Sequence, residues 1–168
     1  QNPPRLGYKD EKGKLFFEMV KVLKEKQPRF FIAENVKGLL SANNKQAFPM
    51  ILREFEQAGY HIHYKLLNAS EYGVPQKRER VFMVGFRDFD DYFKFQFPVM
   101  LPEKVPLKFA LDAQANLDEK WFFSPKAVEG MLRVREKMNK GRVQNIEQPC
   151  NTISAHLAKV SLNGTDLY

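Results

Sequence analysis

The residues best suited to chemistry fall in two short clusters. Glu34, Asn35 and Val36 follow directly on the apolar run Phe30 to Ala33, which begins two residues after Pro28. A continuous apolar run of this kind, entered straight from a helix, predicts a strand buried on both faces. At the carboxyl end of such a strand a carboxylate faces the crevice where open α/β sheets bind ligands, and the strand fixes its position. The competing reading makes Glu34 an ordinary strand-end residue that caps the following turn. The second cluster is Gln76, Arg78 and Arg80, within Tyr72 to Arg80. Alternate residues of an extended segment face one way, so these three point together while Lys77 and Glu79 face oppositely. Two guanidiniums and an amide on one face hold a phosphate, a carboxylate or the acceptor edge of a base; otherwise they form a solvated face beside a sheet edge. The connection before the last strand returns near the end of the first, so Glu34 and Arg78 or Arg80 are expected to approach one pocket.

Other reactive side chains carry weaker signals. His61 and His63 alternate along a strand, but two imidazoles do not make a zinc site and no cysteine or third histidine is near in sequence. Cys150 follows Pro149 with nothing beside it to activate a thiol, so a plain cysteine is expected. His156 is read as having a local structural role. The aromatic stretch from Phe89 to Phe97 is read as packing between regions rather than as a platform for stacked bases.

The elements that must position these residues follow from hydrophobic periodicity. The first 14 residues, with two adjacent prolines and two glycines, read as a loop. Leu15, Phe16, Met19, Val20 and Leu23 mark an amphipathic helix that Pro28 stops. A second helix is predicted from Lys45 to Ala58, with Phe48, Ile51, Leu52 and Phe55 on its core side, Pro49 in its first turn and Gly59 as its terminator. Strands follow from Tyr60 to Leu67 and from Arg80 to Phe86. The residues between them are rich in breakers and too few for a crossover helix, so the last two strands are antiparallel. The alternation predicts a layered α/β domain, an otherwise parallel sheet with an antiparallel member at one side. Prolines 98, 102 and 106 mark a linker after Arg87 to a separate region, in which a helix is predicted from Pro125 to Met138. Residues beyond Gly141 give no clear pattern.

The composition suits a globular domain: 168 residues, 43% apolar, 13% aromatic and 28% charged. No apolar run is long enough to cross a membrane, and Gln1 to Lys14 lacks the apolar core of a signal peptide. One cysteine excludes an intrachain disulfide and a multi-thiolate metal site, which fits a reducing, cytoplasmic setting. The net charge of +7 permits attraction to a polyanion without establishing one, and no polybasic tail is present.

Taken in order, Asp10 to Phe16, Pro28 to Leu39 with Glu34-Asn35-Val36, and Tyr72 to Arg87 with Gln76-x-Arg78-x-Arg80 resemble the middle of the bacterial DNA (cytosine-5) methyltransferases of restriction-modification systems. The later Thr152 to Leu157 is similar to the end of the variable region in many members. The resemblance implies a partial Rossmann-like, S-adenosylmethionine-dependent methyltransferase fold with an antiparallel last strand pair, plus an incomplete target-recognition region. Residues 1–97 then form the C-terminal half of the catalytic domain and 98–168 part of the target-recognition domain. It further implies that Glu34 holds a flipped-out cytosine and helps protonate its ring nitrogen, while Asn35 shapes the pocket. Arg78 and Arg80 match the arginines that contact the O2 side of the base and support the active-site loops. Gln76 orders the segment, and Leu15 lies near the cofactor. The partner is double-stranded DNA, with no membrane involved.

The family's glycine-rich cofactor motif and its Pro-Cys nucleophile belong before Asp10, and neither occurs there; Cys150 lies too far downstream to substitute. The chain alone is therefore expected to be inactive. Either it is a fragment of a longer enzyme, or a complementary chain brings the cysteine and the cofactor loop, and in both cases the first strand is left with an open edge. The alternative class is a non-catalytic nucleic-acid-binding module.

Overall fold

The computed structural model describes residues 11–111, 124–126, 129 and 145–152. The chain divides into two units, residues 1–68 with 79–99 and residues 69–78 with 100–168.

In the first unit, helix α1 (Glu11–Lys26) precedes strand β1 (Phe30–Val36). Phe16, Met19, Val20 and Leu23 turn one face of α1 to the core, where Val20 and Leu23 are buried. Gln27 ends the helix in the left-handed region, φ 49°, just ahead of Pro28. Helix α2 (Ala47–Gln57) buries Phe48, Ile51 and Phe55, with Pro49 in its first turn, where a missing N–H costs nothing. At its end the Gly59 N–H donates to Glu56 O and the Tyr60 N–H to Phe55 O, and Gly59 takes φ +91°. This is the paired-bond helix stop that favours glycine. Strand β2 (His61–Asn68) follows directly, and strand β4 (Glu79–Phe86) closes the sheet after a ten-residue excursion, Ala69–Arg78, into the second unit.

The sheet order is β1-β4-β2, and β4 runs antiparallel to both neighbours. The antiparallel pairing of the last two long strands agrees with the sequence. The antiparallel member, however, lies between the other two rather than at one side, because β4 inserts beside β1 instead of adding beyond β2. Phe55, Tyr60 and Val81 are almost wholly buried at the centre of the core. The Phe31 ring meets Phe55 (centroids 4.7 Å apart) and Tyr60 (5.1 Å), and the Tyr60 hydroxyl donates to Pro28 O at 2.9 Å. Burying each such ring contributes about 1.5–3 kcal/mol.

Three sequence expectations change. Residues 11–14, read as loop, already belong to helix α1, since a polar stretch carries no apolar periodicity. Strand β1 is not buried on both faces: Phe31 is buried, but Phe30 and Ile32 are exposed, Ile32 at 64%, because the chain after Phe86 covers their face of the sheet over β2 and β4 and leaves these two side chains open. The aromatic stretch is not a linker, because it forms helix α3 (Phe89–Lys94) within the first unit, capped by the Asp88 carboxylate accepting from the Asp90 and Asp91 N–H groups. Its Tyr92 stacks on His63, and Phe95 lies against Phe86. Arg29 donates twice to Asp91 (2.7 and 2.8 Å), and these hydrogen bonds hold the Asp91 carboxyl below its ordinary pKa.

In the second unit the short strands β3 (Gln76–Lys77) and β5 (Cys150–Asn151) pair in parallel. Leu107 N–H donates to Gln148 O and Lys108 N–H to Ile146 O, which ties Leu107–Ala110 to the approach to β5. Pro125, Lys126 and Glu129 are helical; the rest of the predicted Pro125 to Met138 helix lies outside the described residues, as does His156. Among the described residues no helix is long and apolar enough to cross a membrane.

Gly85 faces the Phe31 ring, and a methyl group there would overlap ring carbons. Gly85→Ala is therefore expected to destabilise the protein by about 1–3 kcal/mol, read as a lower urea midpoint. Tyr60→Phe loses one buried hydrogen bond and is expected to cost about 0.5–1.5 kcal/mol near neutral pH. Burial raises the Tyr60 hydroxyl pKa above its ordinary 10.0. Its contribution is therefore complete below that value and is lost as pH rises through the raised one, a decline that Tyr60→Phe removes from an alkaline stability profile.

Candidate functional site

The β1–β4 register sets Glu34 opposite Phe82 and Val36 opposite Arg80. Opposed residues of an antiparallel pair share a face, as do alternate residues of one strand, so Glu34 and Arg80 are diagonal neighbours on the same side. Their side chains meet there, Arg80 Nε to Glu34 Oε1 at 2.8 Å. The Arg80 side chain is 20% exposed and the Glu34 carboxylate 46%, so the guanidinium is held from behind while the carboxylate opens outward. Arg80 Nη1 also donates to Glu79 O at 2.8 Å, which restrains the guanidinium plane. A fixed planar cation beside an accessible carboxyl group offers hydrogen-bond donors and acceptors side by side, a pattern that fits a planar heterocycle edge.

The other sequence candidates are placed as follows. The Asn35 Oδ1 accepts from the Val36 N–H at 2.8 Å, so this side chain shapes the turn at the end of β1. The extended segment expected over 76–80 is divided between two strands. Gln76 lies in β3 opposite Cys150, and Arg78 stands between β3 and β4 with its carbonyl accepting from Ala69 N–H at 3.0 Å. Of the proposed pocket groups, Glu34 and Arg80 stand together in the first unit, while Gln76 and Arg78 belong to the second.

Cys150 is buried, and its N–H donates to Pro75 O. His63 Nε2 lies 2.9 Å from Tyr92 O, which accepts only, so that nitrogen carries the proton. Among the described residues no group of histidine, cysteine and carboxylate side chains is assembled for a metal.

Leu15 is 70% exposed on α1. Two clefts of the first unit, one lined by Tyr60, His61, Phe89 and Tyr92, the other by Arg29, Arg87 and Asp91, do not include it.

A second ion pair went unnoticed in the sequence. Lys37 Nζ sits 3.0 and 2.9 Å from the two oxygens of Glu79. Only the register exposes it, because the residues are 42 positions apart.

Residues 4–161 match the family described as C-5 cytosine-specific DNA methylase. The Fusobacterium nucleatum type II methyltransferase M.FnuDI is 38% identical over 169 residues, covering 89% of this chain and 47% of that protein. The Methanothermobacter thermautotrophicus type II methyltransferase M.MthTI is 47% identical over 113 residues, 67% of this chain and 33% of that protein. The chain therefore spans about half or less of the length of these curated relatives. In fold it is similar to the Entamoeba histolytica methyltransferase EhMeth, with TM-score 0.63 and 15% identity over 90% of this chain and 44% of that one.

The Glu34–Arg80 pair is too exposed to matter much to the fold. Glu34→Gln is expected to change unfolding free energy by less than about 1 kcal/mol, and a larger loss in a denaturation series would make the pair structural instead.

Proposed function

Because the chain belongs to the C-5 cytosine-specific DNA methylase family, we propose that the complete protein is a DNA (cytosine-5)-methyltransferase of restriction-modification type. It moves a methyl group from S-adenosylmethionine to C5 of a cytosine flipped out of a specific duplex sequence. In this reading the chain is a portion of a longer enzyme, with residues 1–97 in its catalytic domain and 98–168 in its target-recognition region. The observation that carries the reading is the contact of Glu34 with Arg80 at 2.8 Å at the end of β1.

Cytosine C5 becomes nucleophilic only after a thiolate adds to C6 and pushes charge onto the ring. Glu34 leaves its contact with Arg80, takes up a proton from solvent and delivers it to N3 as charge accumulates on the ring. Arg80 donates to O2, the other atom on which that charge collects, from a guanidinium already oriented by Glu34 and the Glu79 carbonyl. The base must leave the duplex to present N3 and O2 together. Asn35 holds the turn after Glu34, and Gln76 and Arg78 order the chain that leads into Arg80. The thiolate comes from elsewhere in the complete protein, since Cys150 is buried in β5.

The test is transfer of labelled methyl from S-adenosylmethionine to DNA by the complete protein, with product scored at cytosine C5. Incorporation is expected; its absence from a folded, DNA-binding preparation would leave a binding module. Glu34→Gln is expected to lower turnover about 10²- to 10⁴-fold with DNA affinity little changed. Unchanged turnover would remove Glu34 from the mechanism.

A further inference from the structure

We propose that Lys37 and Glu79 form a positioning clamp that keeps Glu34 and Arg80 in register while both engage the base; the proposal rests on the function proposed above. The β1–β4 ladder ends at Val36 opposite Arg80, and continuing its register by one step sets Lys37 opposite Glu79. At that step the Lys37 ammonium contacts both oxygens of the Glu79 carboxylate, at 3.0 and 2.9 Å. Neighbouring positions of a strand face opposite sides, so this pair closes the ladder one step past Arg80 and from the other face.

The position of the pair matters because the Glu34–Arg80 contact cannot serve as the tie during the reaction. Once Glu34 turns to N3 and Arg80 to O2, each gives up part of its hold on the other. The last steps of a ladder are also where strands fray. Beyond Val36 the chain leaves β1 for a short 3₁₀ turn (Lys37–Ser41), and before Glu79 it passes through Arg78 from β3. Lys37 and Glu79 are the first residues outside and the first inside these two changes of direction. An opposite-charge pair set directly across strands restrains both where an error of a few tenths of an ångström would reach Glu34 and Arg80. Both side chains are largely exposed, so the expected effect is on local geometry more than on global stability.

The test compares Lys37→Gln, Glu79→Gln and the exchanged pair K37E/E79K in the complete enzyme, with labelled-methyl kinetics and DNA binding. Each single variant is expected to lower kcat about three- to tenfold with KM for DNA within about twofold of wild type. The exchanged pair is expected to recover kcat to within about twofold, because either polarity closes the same step. A raised KM in Lys37→Gln alone would make Lys37 a phosphate contact and overturn the clamp, as would an exchanged pair no better than the single variants. Should a single variant fail to fold, the exchanged pair decides: folded with near wild-type kcat it supports the clamp, and misfolded or slow it overturns it. Glu34→Gln in the same assay separates the two levels. A large loss there with unaffected Lys37 and Glu79 variants rejects only the clamp, whereas no loss there rejects the underlying reading.

Discussion

The central position of β4 is the constraint on which the site depends. Ten residues, Ala69–Arg78, separate β2 from β4, too few for the crossover that a parallel neighbour needs. β4 must therefore run back along β2, and with β1 on its other side it is antiparallel to both. The amino-terminal end of β4 then lies beside the carboxyl-terminal end of β1. A residue near the start of one strand and a residue near the end of another meet for that reason, and Arg80 and Glu34 are those residues. Had β4 run the other way, Arg80 would stand at the Phe30 end, about 13 Å along the sheet from Glu34 at the rise of a strand residue.

The packing beneath the sheet serves the same end. Phe31 lies in the strand that carries Glu34, and its ring is wedged among Phe55, Tyr60 and the open face of Gly85. Gly85 is its direct partner in the β1–β4 register, so a side chain at that position would push β1 away from β4. The core thus fixes the strands by steric fit along their length, and the charges act only at the ladder's end. That division suits a site in which charged groups must change partners: the fold does not depend on the Glu34–Arg80 contact, and the contact is free to open toward a ligand.

Much of this was legible in the sequence, and the misses have physical causes. The cores of α1 and α2, the stop at Gly59 and the antiparallel last pair follow from periodicity, backbone preference and connection length. The exposed face of β1 was not legible, because an unbroken apolar run reads alike whether one face or two are covered. Helix α3 escaped because six residues are too few to show a helical period, although Asp88 ahead of it was an available capping signal. The helicity of residues 11–14 was hidden by their polar side chains. Glu34 and Arg80 were legible as chemical types and their approach to one pocket followed from the returning chain, but that Arg80 rather than Arg78 meets Glu34 required the register. The Lys37–Glu79 pair required the register itself, since each residue alone is an ordinary surface charge.

The segment from Gln76 to Arg80 carries a second lesson about spacing. Read as one extended run, its alternate residues share a face. In the structure the first two residues belong to one sheet and the last two to another, with Arg78 at the joint. The Arg78 carbonyl accepts from Ala69 N–H, one step past the Asn68 and Glu79 pairing that ends the β2–β4 ladder. Thr152 Oγ1 donates to Lys77 O, and Cys150 N–H donates to Pro75 O, so the backbone on the β3 side of the joint is also engaged. The spacing of the motif therefore answers to a backbone requirement as well as to side-chain chemistry: a residue inserted between Gln76 and Arg80 would break the Ala69 closure or shift Arg80 off the Glu34 face. A pattern of alternate polar residues can be fixed by where a chain changes sheets, and here that change sits two residues before the guanidinium that meets Glu34.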